Sequence, residues 1–360
     1  MARDREDEFW QVALEDKGAH GNFISVDSDS EGNESSHVHT EIKEHFESIA
    51  RVTTYKIPWK DVNEEENSTL SSISLKLSPL PDSDGIWSPL GAQAWHASSL
   101  LVAYTLQSTI LKPINDKGTR LHKKSLLARH IDSWFAEPHT EERFRALELG
   151  SGAVGLAGIV MGLILSRCFS SMGIDKYGSS WITNRPQVIL TDNEANVVKH
   201  LQQNVHNTLS WLAKDTMNVP LLSFLPDLEV QHLDWNLYQT SELAKQTQKL
   251  QLVFGSELVY TGETAKACIN IVLEVLGANP DALVFILQVT DRDGWSNVFL
   301  PSLYKKPFLQ VLEESMENSD LHELAGTIIP PGGTLDRFAF GGCYIFHKDG
   351  RVASNLISIS

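Results

Sequence analysis

Residues 147–156 read "LELGSGAVGL", an apolar strand end running into three glycines, and the fold turns on how this stretch is read. Gly150, Gly152 and Gly155 spell G-x-G-x-x-G, the spacing of a strand-to-helix turn whose backbone passes close to a bound ligand. Glycine suits such a turn because it tolerates left-handed backbone and adds no side chain between loop and ligand. Taken alone, the pattern is that of a dinucleotide-binding loop. Glu148, two positions before the first glycine, fits that reading poorly. A carboxylate at the end of an apolar strand is costly to bury without a partner. Either a neighbouring arginine answers it or a cationic part of the ligand does.

Outward from this loop the chain alternates. "RFRALELG" reads as a buried strand, "GLAGIVMGLILSRCF" as an apolar helix, "PQVILTD" as a second strand and "NEANVVKHLQQNVHNTL" as a second helix. "LEVQHLDW", "LQLVFGSELVY", "ALVFILQVT", "LAGTIIP" and "FAFGGCYIFHKD" add strand-like runs, with helical patterns after Gly262 and around Phe308 to Met316. The class is α/β: a Rossmann-like, doubly wound, seven-stranded sheet, mostly parallel, with right-handed crossovers. The last two runs, joined through "PGGTLD", predict an antiparallel C-terminal hairpin at the sheet edge. Upstream, Trp95, Ser99, Val102 and Leu106 fall at helical spacing, which predicts an amphipathic helix from about Ala92, and a second helix is expected from about His122 to Phe135. Between Arg51 and Leu80, alternating apolar positions (Leu70, Ile73, Leu75, Leu77) predict a small N-terminal β element. The expected organisation is an acidic, largely disordered arm over 1–50, the β element over 51–84 and the main domain over 85–360.

Composition narrows the partners. The 360-residue chain is 42% hydrophobic, enough to fill a core, and it has no apolar run of the roughly 18 residues that span a membrane. Its charged start, "MARDREDEFW", is unlike a secretory signal, so cytosol or nucleus is the expected location. The net charge of −16 argues against binding a phosphate backbone and favours basic partners. Residues 1–50 hold 13 acidic and 4 basic side chains, so −9 of that charge belongs to the arm. The segment "VDSDSEGNESS" within it has little worth burying. Cys168, Cys268 and Cys343 show no metal or disulfide spacing, and His37 and His39 form a pair without further ligands, so no metal site is expected. The chain is expected to be a monomer, without nucleic acid or membrane as partner.

Three further features bear on the ligand. Asp192 ends the second strand 37 residues past Gly155, where a carboxylate can take ribose hydroxyls of either cofactor class. The third strand ends in "LDW", so Asp234 can accept from an adenine amino group while Trp235 offers a flat apolar face. The fourth ends in "GSELVY", which puts Glu257 and Tyr260 in the crevice beyond the carboxyl ends of the strands.

At these residues the chain resembles the seven-β-strand S-adenosylmethionine-dependent methyltransferases, specifically the family 16 methyltransferase-like proteins that include many protein lysine methyltransferases. The resemblance runs from about Gly85 to Asp349 and rests on "GAQAWHASSLLVAY", "LELGSGAVGLAGI", "VILTDNEANVVKHLQQNVHNT", "LDW" and "GSELVY" in that order. It implies that Glu148, Gly150 and Gly152 hold the methionine end of S-adenosyl-L-methionine and Asp192 its ribose hydroxyls. Asp234 and Trp235 would flank the adenine, Trp95 would cover the cofactor, and Ser256 would contribute from the strand end. The family's acidic-x-x-aromatic motif beside the methyl acceptor maps onto Glu257 and Tyr260; many members have aspartate at the first position. The activity implied is methyl transfer to a protein side chain, most readily the lysine amine, with histidine-directed relatives leaving the acceptor atom open.

Two other readings stand beside it: a catalytically silent methyltransferase fold used as a binding module, and an NAD(P)-dependent oxidoreductase supported only by the glycine spacing. Glu257 as a helix cap and Tyr260 as a core aromatic are the structural alternatives. Ordinary roles are expected for His96 and His232. Asp291, Arg292, Asp293 and Trp295 form either a substrate-facing loop or a solvated turn.

Overall fold

The structure is a computed structural model, and it describes residues 52–59, 71–79, 96–110, 125–136, 143–171, 185–215, 225–328 and 339–348. Trp95, the acidic arm, Leu70 and the "PGGTLD" turn lie outside the described residues. Two strands come first, β1 (Thr53–Trp59) and β2 (Ser71–Leu77), paired antiparallel with Ile57 opposite Ile73. Helices α1 (His96–Thr109) and α2 (Leu126–Ala136) follow. Then come β3 (Arg145–Glu148), α3 (Leu156–Ser171), β4 (Gln187–Asp192), α4 (Ala195–Asp215) and β5 (Asp227–His232). The second half holds β6 (Leu252–Ser256), α5 (Gly262–Ala278), β7 (Leu283–Val289), a π-helical turn (Gly294–Phe299) and α6 (Leu300–Tyr304). It closes with β8 (Leu309–Ser315), α7 (Ser319–Ile328) and β9 (Phe340–His347).

The seven strands β3–β9 form one sheet in the order β5-β4-β3-β6-β7-β9-β8. The first five are parallel, while β9 runs antiparallel to both β7 and β8. Successive strand residues point to opposite faces, and here both sets are apolar: Ala146, Val188, Phe254 and Phe285 enter one core, Leu147, Ile189, Val253 and Val284 the other. That is the signature of a sheet covered on both sides by crossover helices. The first core is filled by α1, α2, α3, α4 and α7 and by Ile57, Trp59, Leu75 and Leu77 of the two-stranded sheet; α5 fills the second. Between β3 and β6 the direction of strand addition reverses, which opens a crevice at their carboxyl ends.

Three element expectations are corrected. The stretch Phe308 to Met316, read as helical, contains strand β8, and Leu324 to Ile328 of "LAGTIIP", read as a strand, belong to helix α7. The antiparallel C-terminal pair is therefore β8 with β9, with α7 between them in sequence. Val311, Leu312 and Met316 do fall at helical spacing, but β9 offers a ladder from Leu309 to Ser315, and tertiary pairing overrides local periodicity. Finally, α1 is not amphipathic. It is buried nearly all round, which befits a helix packed between others.

Candidate active site

The glycine loop occupies the crevice at the end of β3. Gly150, Gly152 and Gly155 have φ of 63°, 65° and 63°, the left-handed region that a side chain would make costly. The first half of the loop is tied to β4: Ser151 N donates to Thr191 O at 2.8 Å, Thr191 N to Ser151 Oγ at 3.1 Å and Thr191 Oγ1 to Glu148 O at 2.6 Å. Gly152 N donates to Asp192 Oδ2 at 3.1 Å, and Asp192 Oδ1 accepts from Glu194 N at 3.2 Å.

Glu148 is buried, and its Oε2 has no hydrogen-bond partner among the described residues. The arginine that might have answered it is not there, for no ion pair reaches Glu148 among those residues. Burial pushes its carboxyl up to about 7, and the nearby Asp192 adds to the rise, against the pull of hydrogen bonding from Ser151 and the Gly158 backbone. Space for the carboxylate comes from Gly158 on α3, where an added Cβ would sit 2.3 Å from Glu148 Oε2 and 2.7 Å from Leu190.

Trp235 packs over the loop, its ring 3.6 Å from where a Cβ on Gly150 would lie, with Leu258 on the same point at 3.2 Å. Asp234 precedes it and caps a 3-10 helix (Trp235–Thr240), with Oδ1 accepting from Asn236 N at 2.9 Å and from Asn236 Nδ2 at 3.2 Å. The carboxylate that the resemblance sets beside an adenine holds, in the structure, the turn that presents Trp235. From β6, Ser256 Oγ lies 3.3 Å from Ser98 Oγ on α1, so this helix reaches the crevice.

Just beyond Ser256, Glu257 has φ 52°, the one non-glycine among the described residues with positive φ. Such backbone is strained and persists where surrounding contacts enforce it. Glu257 Oε1 accepts from Gln288 Nε2 at 2.8 Å and from Val289 N at 2.5 Å, and Oε2 pairs with Arg292 Nη2 at 3.2 Å. Fully buried Gln288 also receives Val259 N at 3.0 Å, so the end of β7 clamps the whole segment 257–259. Burial raises the Glu257 carboxyl, with the Val289 N–H and the Arg292 charge pulling it back. Arg292 lies 5.2 Å from the Tyr260 ring centroid in a cation–π contact. Burial and the Glu257 charge push the Tyr260 hydroxyl up, and Arg292 opposes them. Thr261, not Glu257, caps α5, in a reciprocal capping box with Thr264.

The structure therefore brings Glu148, Gly150, Gly152, Asp192 and Trp235 together around one loop, and groups Glu257 with Tyr260 at the neighbouring strand end. It adds Gln288, which the sequence did not single out, and it places Arg292, of the loop read as either substrate-facing or solvated, against Glu257 and Tyr260. Gln288 had a faint signal, a polar residue ending an apolar strand. Of the histidines, His232 is exposed with Nε2 2.7 Å from Asn193 O, and His96 is buried beside His322 and Phe340. Trp295 is a core residue stacked on Phe299.

The charges of this site suit a cationic group better than a pyrophosphate. The buried Glu148 carboxylate, with no ion pair and with Oε2 unpartnered among the described residues, matches an ammonium group. The Gly152 N–H that would greet a phosphate is already given to Asp192, whose negative charge would repel one.

The sequence pattern of the family described as lysine methyltransferase matches residues 83–306. No curated protein sequence matches the chain. Among solved structures, it is similar to the human methyltransferase 10 domain containing protein, with 10% identity and a TM-score of 0.34 over 69% of this chain and 97% of that one. The P. horikoshii TYW2 in complex with MeSAdo shows 10% identity and a TM-score of 0.30 over 61% of each chain. The METTL16 MTase domain shows 9% identity and a TM-score of 0.32 over 71% of this chain and 84% of that one.

Proposed function

Because this chain belongs to the lysine methyltransferase family and is an S-adenosylmethionine-dependent methyltransferase by family and fold, we propose that it methylates the side-chain amine of a lysine in a protein. The observation that carries the proposal is the Glu257–Arg292–Tyr260 cluster at the carboxyl end of β6, one strand over from the glycine loop.

Glu148 would hold the ammonium of the cofactor's amino acid end, Asp192 its ribose hydroxyls, and Trp235 with Asp234 its adenine, with the backbone of Gly150 and Gly152 at close approach. The cofactor would supply an electrophilic methyl group on a sulfonium, to be taken in line by the acceptor's lone pair as the methyl–sulfur bond breaks and the neutral thioether leaves. The protein's own work is alignment and keeping that lone pair free. A carboxylate has about four acceptor positions, and Glu257 fills three with Gln288, Val289 and Arg292, leaving one on Oε2 for an acceptor N–H. Arg292 offsets the Glu257 charge, so the carboxylate orients an amine without strongly stabilising its protonated, unreactive form. Tyr260 gives the methylene stem an apolar wall, and desolvation beside it lowers the amine pKa.

The test has two arms. Calorimetric titration with S-adenosylhomocysteine and, separately, NADH is expected to show binding of the first alone. Lysate protein incubated with the chain and methyl-labelled S-adenosylmethionine, then hydrolysed to amino acids, is expected to carry label in methyllysine. Label in methylhistidine would move the acceptor to a ring nitrogen, and no label with intact cofactor binding would favour a silent binding module.

A further inference from the structure

The second half of the glycine loop is held from an unexpected direction. Asn204 on α4 is 2% exposed, and its Nδ2 donates to Ala153 O, between Gly152 and Gly155, at 2.8 Å. The same Nδ2 donates to Ser78 O at 2.8 Å, while Oδ1 accepts from Ser78 N at 3.0 Å and Ser78 Oγ at 3.1 Å. Two donors and one oxygen with two lone pairs are the whole capacity of an asparagine amide, and all of it is used. The orientation is fixed as well, because a flipped amide would set N–H against N–H and oxygen against two carbonyls. Ser78 is the residue just after β2, and His200, one turn earlier on α4, adds Nε2 contacts to Ser78 Oγ at 3.0 Å and Ser78 O at 2.9 Å. Leu201 presses on the loop too, 2.3 Å from where a Cβ on Gly155 would stand.

We propose that Asn204 is a positioning residue for the cofactor, anchoring the glycine loop to Ser78 and thereby making the two-stranded N-terminal sheet a working part of the cofactor site. A loop with three glycines has much conformational freedom to lose, and a ligand that must order it loses affinity. The first half of the loop needs no such help, since Thr191 and Asp192 of β4 already hold Ser151 and Gly152. Its second half is held through α4, and α4 is registered there by Ser78. The bond spans 126 residues of sequence, so the sheet before the main domain sets the backbone on which the cofactor rests.

Calorimetric titration of the full chain with S-adenosylhomocysteine tests this. Asn204→Ala is expected to weaken binding by about tenfold or more, as for a buried hydrogen-bond network left open. Ser78→Pro, which removes the N–H that Asn204 Oδ1 accepts, is expected to weaken it several-fold. The matched control is Asn279→Ala, which breaks a bond of the same kind, Nδ2 to Leu250 O at 2.7 Å, at the opposite end of the sheet. That variant is expected to lose thermal stability yet bind as wild type. Should Asn204→Ala not fold, Asn204→Asp keeps the acceptor and loses the donor to Ala153, with the same weakening expected. Wild-type affinity in the folded Asn204 variant, or equal weakening in Asn279→Ala, would overturn the proposal. Weak binding in Asn204→Ala with full affinity in Ser78→Pro would overturn the part assigned to β2. A wild-type chain that binds no S-adenosylhomocysteine would overturn the cofactor assignment itself.

Discussion

Glu148 shows how one residue sets stability against binding. Its carboxyl, near 4.5 when unfolded, rises to about 7 in the folded chain, so the folded state holds the proton more tightly. Stability of the cofactor-free chain should therefore increase as pH is lowered from about 7 toward 4.5, and the full cost of the buried charge is present above 7. Glu148→Gln removes that charge. It is expected to stabilise the empty chain at pH 8 by about 1–3 kcal/mol and to do little at pH 5, read by thermal melts at both pH values. It should also weaken S-adenosylhomocysteine, whose affinity for wild type should fall below pH 7 and for the variant stay flat. Parallel pH profiles for the two would remove Glu148 from the ammonium site. This residue was legible in sequence because its type conflicts with its context, a charge closing an apolar strand. Arg292 was legible only as one of a charged loop facing either substrate or solvent, because its role lies in what it touches: Glu257 and Tyr260, 35 and 32 positions earlier, come beside it only in the folded chain.

Among the elements, the segment after β7 decides how Glu257 and Tyr260 are held. Gly294 packs so close to the start of α5 that an added Cβ would lie 2.4 Å from Thr261 O and 2.6 Å from its carbonyl carbon. Both are backbone atoms at a capped helix start, which cannot swing aside. Gly294→Ala should push the 291–299 segment off α5, costing about 1–3 kcal/mol in urea unfolding, as overpacked sites do. It should also lower methyl transfer while leaving S-adenosylhomocysteine affinity intact, since Arg292 moves and the glycine loop does not; lost cofactor affinity would show the two sites are not separable. Element types were readable wherever local pattern and packing agreed, as in α3, α5 and β4. They failed at β8 and α7, where the sheet edge needed a partner for β9 and took a segment of helical spacing. A helix or a strand of 7–10 residues has little intrinsic preference to set against a ladder of backbone bonds.

Across the whole molecule, every residue assigned to the cofactor lies well beyond the acidic first 50 residues, and β1 begins at Thr53. Removing residues 1–45 should leave S-adenosylhomocysteine affinity unchanged by calorimetry; a large loss would tie the arm to the cofactor site. No helix among the described residues is long and apolar enough to cross a membrane. By itself the sequence determined the alternation of strands and helices, the glycine turn and the row of strand-end residues from Glu148 to Tyr260, because periodicity and residue type are local quantities. Tertiary structure alone decided that Gly152 gives its N–H to Asp192, that Arg292 answers Glu257, that β8 is a strand, and that Ser78 reaches the glycine loop through Asn204. Each of these depends on which distant groups share a small volume, and that is settled by how the chain packs its two cores, not by any one stretch of it.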